Sequence, residues 1–253
     1  MAAGTGRVGH VKFDAMVLAA GYGRRLRPLT DETPKALVRV GDLTQLERTL
    51  RVLERAGADR VIVNTHHHAE QIEAALERRD GAARVVVSRE DPRPLETGGG
   101  LLYARRLFRG DRPILVHNVD VITSIDLPTL LARHGASGAL ATLAVQERAA
   151  SRYLLFDEAG LHGRLDVRSG FREEAREQRG ALRRLAFTGV HVVEPRAFGL
   201  MSETGAFSII DLYLRLAGEG KDVRAVDVGD AEWFEIGTPE RLAAARARFA
   251  AEA

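Results

Sequence analysis

Cysteine is absent from the 253-residue chain. No disulfide framework, thiolate metal site or cysteine nucleophile can be built from it, so its ligands are held by oxygen, nitrogen and backbone groups. Long hydrophobic runs are missing as well. No stretch approaches the roughly 20 apolar residues that span a bilayer, and the opening MAAGTGRVGHVKFD lacks the apolar core of a secretion signal. A cytoplasmic protein with no membrane partner is therefore expected. An excess of charge of one sign is lacking too: the formal net charge is +2, which argues against a nucleic-acid partner. Lysine is scarce, since of 37 basic residues only Lys12, Lys35 and Lys221 are lysines. What remains, 45% hydrophobic and 28% charged, is the make-up of an ordinary globular chain able to bury a full core.

Strand and helix patterns alternate along the first half. FDAMVLAA (13–20), apolar at every position but Asp14 and without alternation, reads as a strand buried on both faces. Leu43, Leu46, Leu50 and Leu53 then fall at helical spacing, with Thr44 and Glu47 forming a capping box and Gly57 supplying the stop. RVIVN (60–64), ARVVVS (83–88) and RPILVHNVD (112–120) are further strands, separated by helical patterns at 69–79 and from TGGG (97–100) through LLYARRLF. Repeats of this length imply a mostly parallel sheet between helices. The second half adds strands at 139–145, 153–157 and 185–193 around a charged stretch (166–184) that reads as an exposed loop or hairpin. A helix over 207–220, two short strands, and a last helix over 238–249 capped by Thr238 complete the chain. No linker or repeat divides it. One domain over 1–253 is expected, in two halves of about 13–120 and 121–253.

Behind the first strand stands LAAGYGRRLRPLTDETPKALVRVG (18–41). Ligands of open α/β sheets bind at the carboxyl ends of the strands. Gly21 and Gly23 there let backbone N–H groups approach an anion, and the arginines can neutralise phosphate charge. The dinucleotide fingerprint fails, because its third glycine is missing and prolines stand where its helix would begin; a P-loop fails for want of Gly-Lys-Ser/Thr.

The full stretch resembles the signature of the sugar-1-phosphate nucleotidylyltransferases: Gly21-Tyr22-Gly23-Arg24-Arg25-Leu26-Arg27-Pro28-Leu29-Thr30, then Thr33-Pro34-Lys35. LETGGG (95–100), HNVD (117–120), TGVHVV (188–193) and WFEIGTPE (233–240) agree in order and spacing, so the resemblance covers nearly the whole chain. It is most like the short bacterial members of the N-acetylmuramate-1-phosphate uridylyltransferase and mannose-1-phosphate guanylyltransferase kinds. The resemblance implies a three-layer, Rossmann-like α/β/α fold with a mixed, mostly parallel sheet, in which about 13–120 is the nucleotide-binding half and about 121–253 the sugar-binding and metal-completing half. It implies transfer of a nucleotidyl group from a nucleoside triphosphate, UTP or GTP favoured, to a sugar 1-phosphate, releasing pyrophosphate with Mg²⁺ as cofactor. Cytidylyl transfer to phosphocholine and a non-catalytic nucleotide-sugar sensor stand as alternatives, and self-association as a homo-oligomer stays open.

Residue by residue, the resemblance makes Arg25 and Lys35 catalytic. It assigns the nucleotide to Leu18, Ala19, Ala20, Gly21, Gly23, Glu90, Thr97, Gly98 and Gly99, with Glu90 accepting from a base N–H. The TGGG amides read as facing outward, so that a flat ring or ribose can lie against bare backbone. Asn118, Gly189 and Arg152 are assigned to the sugar, with Arg164 and Arg168 as further candidates to grip its phosphate. Asp120 ends an apolar strand where a buried unpaired charge is costly, so it is expected to face the cleft; the resemblance makes it a Mg²⁺ ligand with Glu235. The family's N-G-D is Asn118-Val119-Asp120 here, and its second aspartate is Glu235, with Asp227 and Asp230 as nearby alternatives. Arg24 and Arg27 read as solvated or structural. His66, His67 and His68 point in alternating directions and read as a loop, not a metal site.

Overall fold

The computed structural model describes residues 11–250, so the opening ten residues, on which part of the secretion-signal reading rests, lie outside the described residues. In chain order the elements are β1 (Asp14–Leu18), α1 (Leu29–Glu32), β2 (Arg39–Val40), β3 (Leu43–Thr44), α2 (Gln45–Arg55), β4 (Arg60–Thr65), α3 (Ala69–Glu77), β5 (Arg84–Arg89) and α4 (Glu96–Tyr103). They continue with β6 (Ile114–Asn118), β7 (Val121–Thr123), α5 (Leu127–Ser137), β8 (Ala141–Gln146), β9 (Arg152–Asp157), β10 (Gly160–Asp166) and β11 (Arg172–Glu174). The last five are β12 (Arg183–Val193), α6 (Ile209–Gly218), β13 (Val223–Asp227), β14 (Trp233–Glu235) and α7 (Pro239–Phe249).

A ten-stranded mixed sheet runs in the order β11-β10-β9-β12-β6-β1-β4-β5, with β8 beside β12 and β13 beside β8. The block β6-β1-β4-β5 is parallel, as the continuous apolar runs require when both faces are covered. Alternate residues of one strand serve opposite cores. Met16, Ile62 and Val116 pack with Leu101 of α4 and Leu212 of α6, whereas Ala15, Val17, Val61 and Val63 pack with Leu46, Leu50 and Leu53 of α2, Ile72 of α3 and Leu130 of α5. This is the expected three-layer, Rossmann-like α/β/α arrangement.

The local signals behave as their chemistry dictates. Thr44 and Glu47 form the capping box of α2 in both directions, Gly57 follows it with φ +98°, and Thr238 caps α7, whose Leu242, Ala245 and Phe249 are buried. The charged stretch folds partly as the β10–β11 hairpin. The strands β2, β3, β7 and β10 were not legible, being two or three residues long or, in β10 (GLHGRLD), interrupted by glycine and charge.

β12 joins the halves. Its last residues pair with β6 and its first with β9, and its register against β8 slips between Phe187 and His191. Gly189 sits in that slip with φ +84°, a backbone conformation open to glycine. β14 lies apart from the main sheet, antiparallel to β7, with Glu235 opposite Val121. The amide of Ile236 donates to the Asp120 carbonyl at 3.0 Å.

Candidate active site

The parallel strands end in register. Leu18 is level with Asn64 on one side and Asn118 on the other, so three strand termini open together at the carboxyl edge of the sheet. Above them lies a cavity of about 460 Å³ lined by Leu18 to Gly23, Lys35, Asn64, Pro94, Glu96, Thr97, Asn118, Val119, Asp120 and Ser208. A second, of about 750 Å³, shares Asn118 and Asp120 with the first. It is walled by Arg25, Arg148, Arg152, Arg168, Thr188, Gly189, Trp233, Glu235 and Arg241, among others.

The glycine loop is braced from within. Gly23 has φ +65°, and a Cβ there would meet Thr30 Cγ2 at 2.8 Å; its carbonyl accepts from Thr30 Oγ1 at 2.9 Å. Asn64 links the loop to the base of the cavity: its Oδ1 accepts from the Ala19 amide at 2.6 Å and its Nδ2 donates to Glu90 Oε1 at 2.7 Å. Of the three histidines, His67 and His68 also tether this loop, and His66 reaches the segment after β5. His66 Nδ1 lies 3.0 Å from the Glu90 carbonyl, His67 Nε2 2.9 Å from that of Thr30, and His68 Nε2 2.9 Å from that of Asp31.

Four charged residues meet where the cavities join. Lys35 pairs with Asp120 Oδ2, and Arg25 Nη2 lies 3.1 Å from Glu235 Oε1. Arg241 takes the other oxygen of Glu235. The register of β14 on β7 accounts for the last of these, since it brings Glu235 beside Asp120. Arg24 lies over the Tyr22 ring and Arg27 pairs with Asp31, in keeping with structural roles for both.

Several expected contacts come out otherwise. Glu90 is buried beneath the cavity, not in it: Oε1 accepts from Asn64 and Oε2 from the Leu95 amide at 2.6 Å, so it positions the loop from below. Burial raises its pKa, against the pull of those two hydrogen bonds. Gly98 and Gly99 do not present free amides, because both donate to the Phe207 carbonyl, at 2.9 and 3.3 Å. A Cβ on Gly98 would strike the Phe207 ring and one on Gly99 the Gly205 carbonyl; these glycines admit a close approach of another segment. Thr97 lines the cavity. Arg152 is mostly exposed and paired with Asp166 at 3.1 Å, at the rim of the second cavity. Arg164 is paired with Glu173 and Asp211, outside that cavity. Asp227 pairs with Arg183, and neither it nor Asp230 lines either cavity. Val119, in place of the family glycine, keeps its amide on the Leu18 carbonyl at 3.2 Å.

The sequence reading missed Asn64, Ser208, Arg148, Trp233 and Arg241. Asn64 is the one that left a signal, a polar residue closing an apolar strand as Asp120 does.

Fold and cleft together define a Rossmann-like α/β protein with charged groups gathered at the carboxyl edge of a parallel sheet. A family model described as nucleotidyl transferase matches residues 14–252. The chain is 33% identical over 245 residues, 93% of this chain and 96% of the relative, to an N-acetylmuramate alpha-1-phosphate uridylyltransferase of Caulobacter vibrioides. It is 34% identical over 242 residues to the protein of that name in Neisseria meningitidis serogroup B, covering 92% and 96%. In fold it resembles a UDP-glucose pyrophosphorylase from Acinetobacter baumannii, with a TM-score of 0.77 at 20% identity, covering 96% and 94%. The chain belongs to the nucleotidyl transferase family.

Proposed function

We propose that the chain condenses a nucleoside triphosphate, UTP or GTP in preference to ATP, with a sugar 1-phosphate, giving a nucleotide sugar and pyrophosphate. The observation that carries this reading is the meeting of Arg25, Lys35, Asp120 and Glu235 where a glycine-walled cavity joins an arginine-rich one. The full-length relatives, named as uridylyltransferases acting on a sugar 1-phosphate, support the substrate class.

A phosphate oxygen of the sugar ester forms a bond to the α-phosphorus of the triphosphate, and the bond from that phosphorus to the bridging oxygen of pyrophosphate breaks. Little covalent work falls to the protein, so positioning and neutralisation of charge dominate. The nucleotide occupies the first cavity and the sugar phosphate the second. Arg25 offers a two-pronged donor to the leaving pyrophosphate, and Lys35 a point charge beside the reacting phosphate.

Asp120 and Glu235 fit a Mg²⁺ ion. They are hard carboxylate donors from neighbouring segments, and each is already reached by cationic nitrogen, from Lys35 in one case and from Arg25 and Arg241 in the other. When bound, the ion would supply neutralisation of phosphate oxygens. Such a reaction draws on the triphosphates of the cytoplasm.

The test is a panel of UTP, GTP, CTP and ATP against hexose 1-phosphates, N-acetylmuramate 1-phosphate and phosphocholine, read by pyrophosphate release. Turnover with UTP or GTP that requires a sugar phosphate is expected. Equal turnover with ATP and no dependence on sugar phosphate would overturn the reading, CTP with phosphocholine would replace it, and ligand binding with no pyrophosphate would leave a sensor.

A further inference from the structure

Five arginines face the second cavity, and their partners separate them. Arg25 and Arg241 share Glu235, and Arg152 is paired with Asp166. Arg148 has no carboxylate partner among the described residues. Its Nη2 donates to the Phe187 carbonyl at 3.3 Å, and its Nε is buried with no hydrogen-bond partner. Its Cζ lies 3.6 Å from the centroid of the Trp233 ring, a stacking distance, and Trp233 is itself fixed by Nε1 donating to the Thr188 carbonyl at 2.8 Å. Arg168, whose side chain also has no partner among the described residues, stands exposed on the turn after β10, where holding an anion would mean ordering a long free side chain.

A half-buried cation without a counter-ion is unfavourable, and burial accordingly lowers the pKa of the Arg148 guanidinium. An arriving anion relieves that cost. Stacking occupies the guanidinium face, Nε is buried and one N–H of Nη2 goes to Phe187, which leaves Nη1 and the second N–H of Nη2, the end of the fork, to take oxygens of one phosphate. Resting on the reading above, we propose that Arg148, held flat by Trp233, is the residue that grips the phosphate monoester of the acceptor.

Trp233 is the one tryptophan of the chain, so its fluorescence reports directly on this contact. Inorganic phosphate and glucose 1-phosphate are titrated against the full chain and against Arg148→Lys and Arg148→Ala, with UTP affinity measured separately. Both probes should give a saturable fluorescence change in the unaltered chain. Their dissociation constants should rise about tenfold or more in Arg148→Ala and less in Arg148→Lys, with UTP affinity unchanged. A chain without a saturable response to either probe would overturn the proposal, as would unchanged probe affinity in folded Arg148→Ala. Loss of the response on Arg168→Ala but not on the Arg148 variants would do the same. Arg148→Lys, which keeps the charge, guards against misfolding of the alanine variant. Because the readout is binding, the proposal can fail while pyrophosphate release persists, or hold while the transfer reading fails.

Discussion

Arg25 and Lys35 carry the same sign at the same junction, yet their surroundings differ. The Arg25 side chain is 65% exposed, that of Lys35 only 14%, and Lys35 closes an ion pair with Asp120, itself only 20% exposed. Arg25→Ala is expected to lower turnover by roughly 10²-fold or more while the melting temperature moves by no more than about 2 °C. Lys35→Ala should match that loss and also destabilise by about 1–3 kcal/mol, because Asp120 is left with a half-buried charge and no cation. Arg24→Ala, which removes only a contact over the Tyr22 ring, should be mild in both respects; an essential Arg24 beside a dispensable Arg25 would mean that the loop roles are shifted by one residue. Glu235 separates two functions. Glu235→Gln keeps the shape and removes the charge shared by Arg25 and Arg241; if Glu235 is a Mg²⁺ ligand as proposed, the Mg²⁺ concentration for half-maximal activity should rise, with Glu235→Asp losing activity only in part. Unaltered Mg²⁺ dependence in Glu235→Gln would make this residue a positioner of the two arginines.

Among the elements, β12 shows where sequence is informative and where it is not. Gly189 stood out as a glycine inside a strand, and the structure gives it a left-handed conformation with Asn118 pressed against it. A Cβ there would lie 2.8 Å from Asn118 Nδ2 and 3.2 Å from Val121 Cγ2. Gly189→Ala should therefore destabilise by about 1–3 kcal/mol and raise KM for the acceptor far more than KM for the triphosphate, as steady-state kinetics would reveal. Local signals were legible because their partners are near in the chain: the capping box of α2, the apolar runs of β1, β4 and β6, the proline and threonine opening α7. Gly98 and Gly99 were misread because what they admit, the backbone around Phe207, arrives from more than a hundred residues away. Glu90 was misplaced for the same reason, since nothing next to it announces that Asn64 will bind it from another strand. Arg148 was overlooked because its role depends on Trp233, which comes to it from a separate two-stranded sheet.

The whole molecule carries an acid sensitivity that its surface does not reveal. His191 is fully buried between Phe187 and Tyr213 with both ring nitrogens unpartnered, and burial lowers its pKa from the ordinary 6.5 to about 3. The unfolded chain takes up that proton as pH falls through 6.5, but the folded chain does not until about 3. The stabilisation is thus complete above 6.5 and declines by about 1.4 kcal/mol per pH unit below it. His117, whose pKa burial also lowers, acts in the same direction. His191→Phe should gain about 2 kcal/mol over the parent at pH 5 relative to the same comparison at pH 8, measured by urea unfolding. An identical difference at both pH values would mean that the buried ring takes no part in acid unfolding.

The two cavities share Asn118 and Asp120 as common lining. If each holds one substrate and the acceptor attacks the α-phosphorus directly, that phosphorus is turned inside out once, like an umbrella in wind. With a triphosphate made chiral at that atom by sulfur, the nucleotide sugar should emerge with the opposite handedness; retention would require two successive displacements and a covalent stop on the protein.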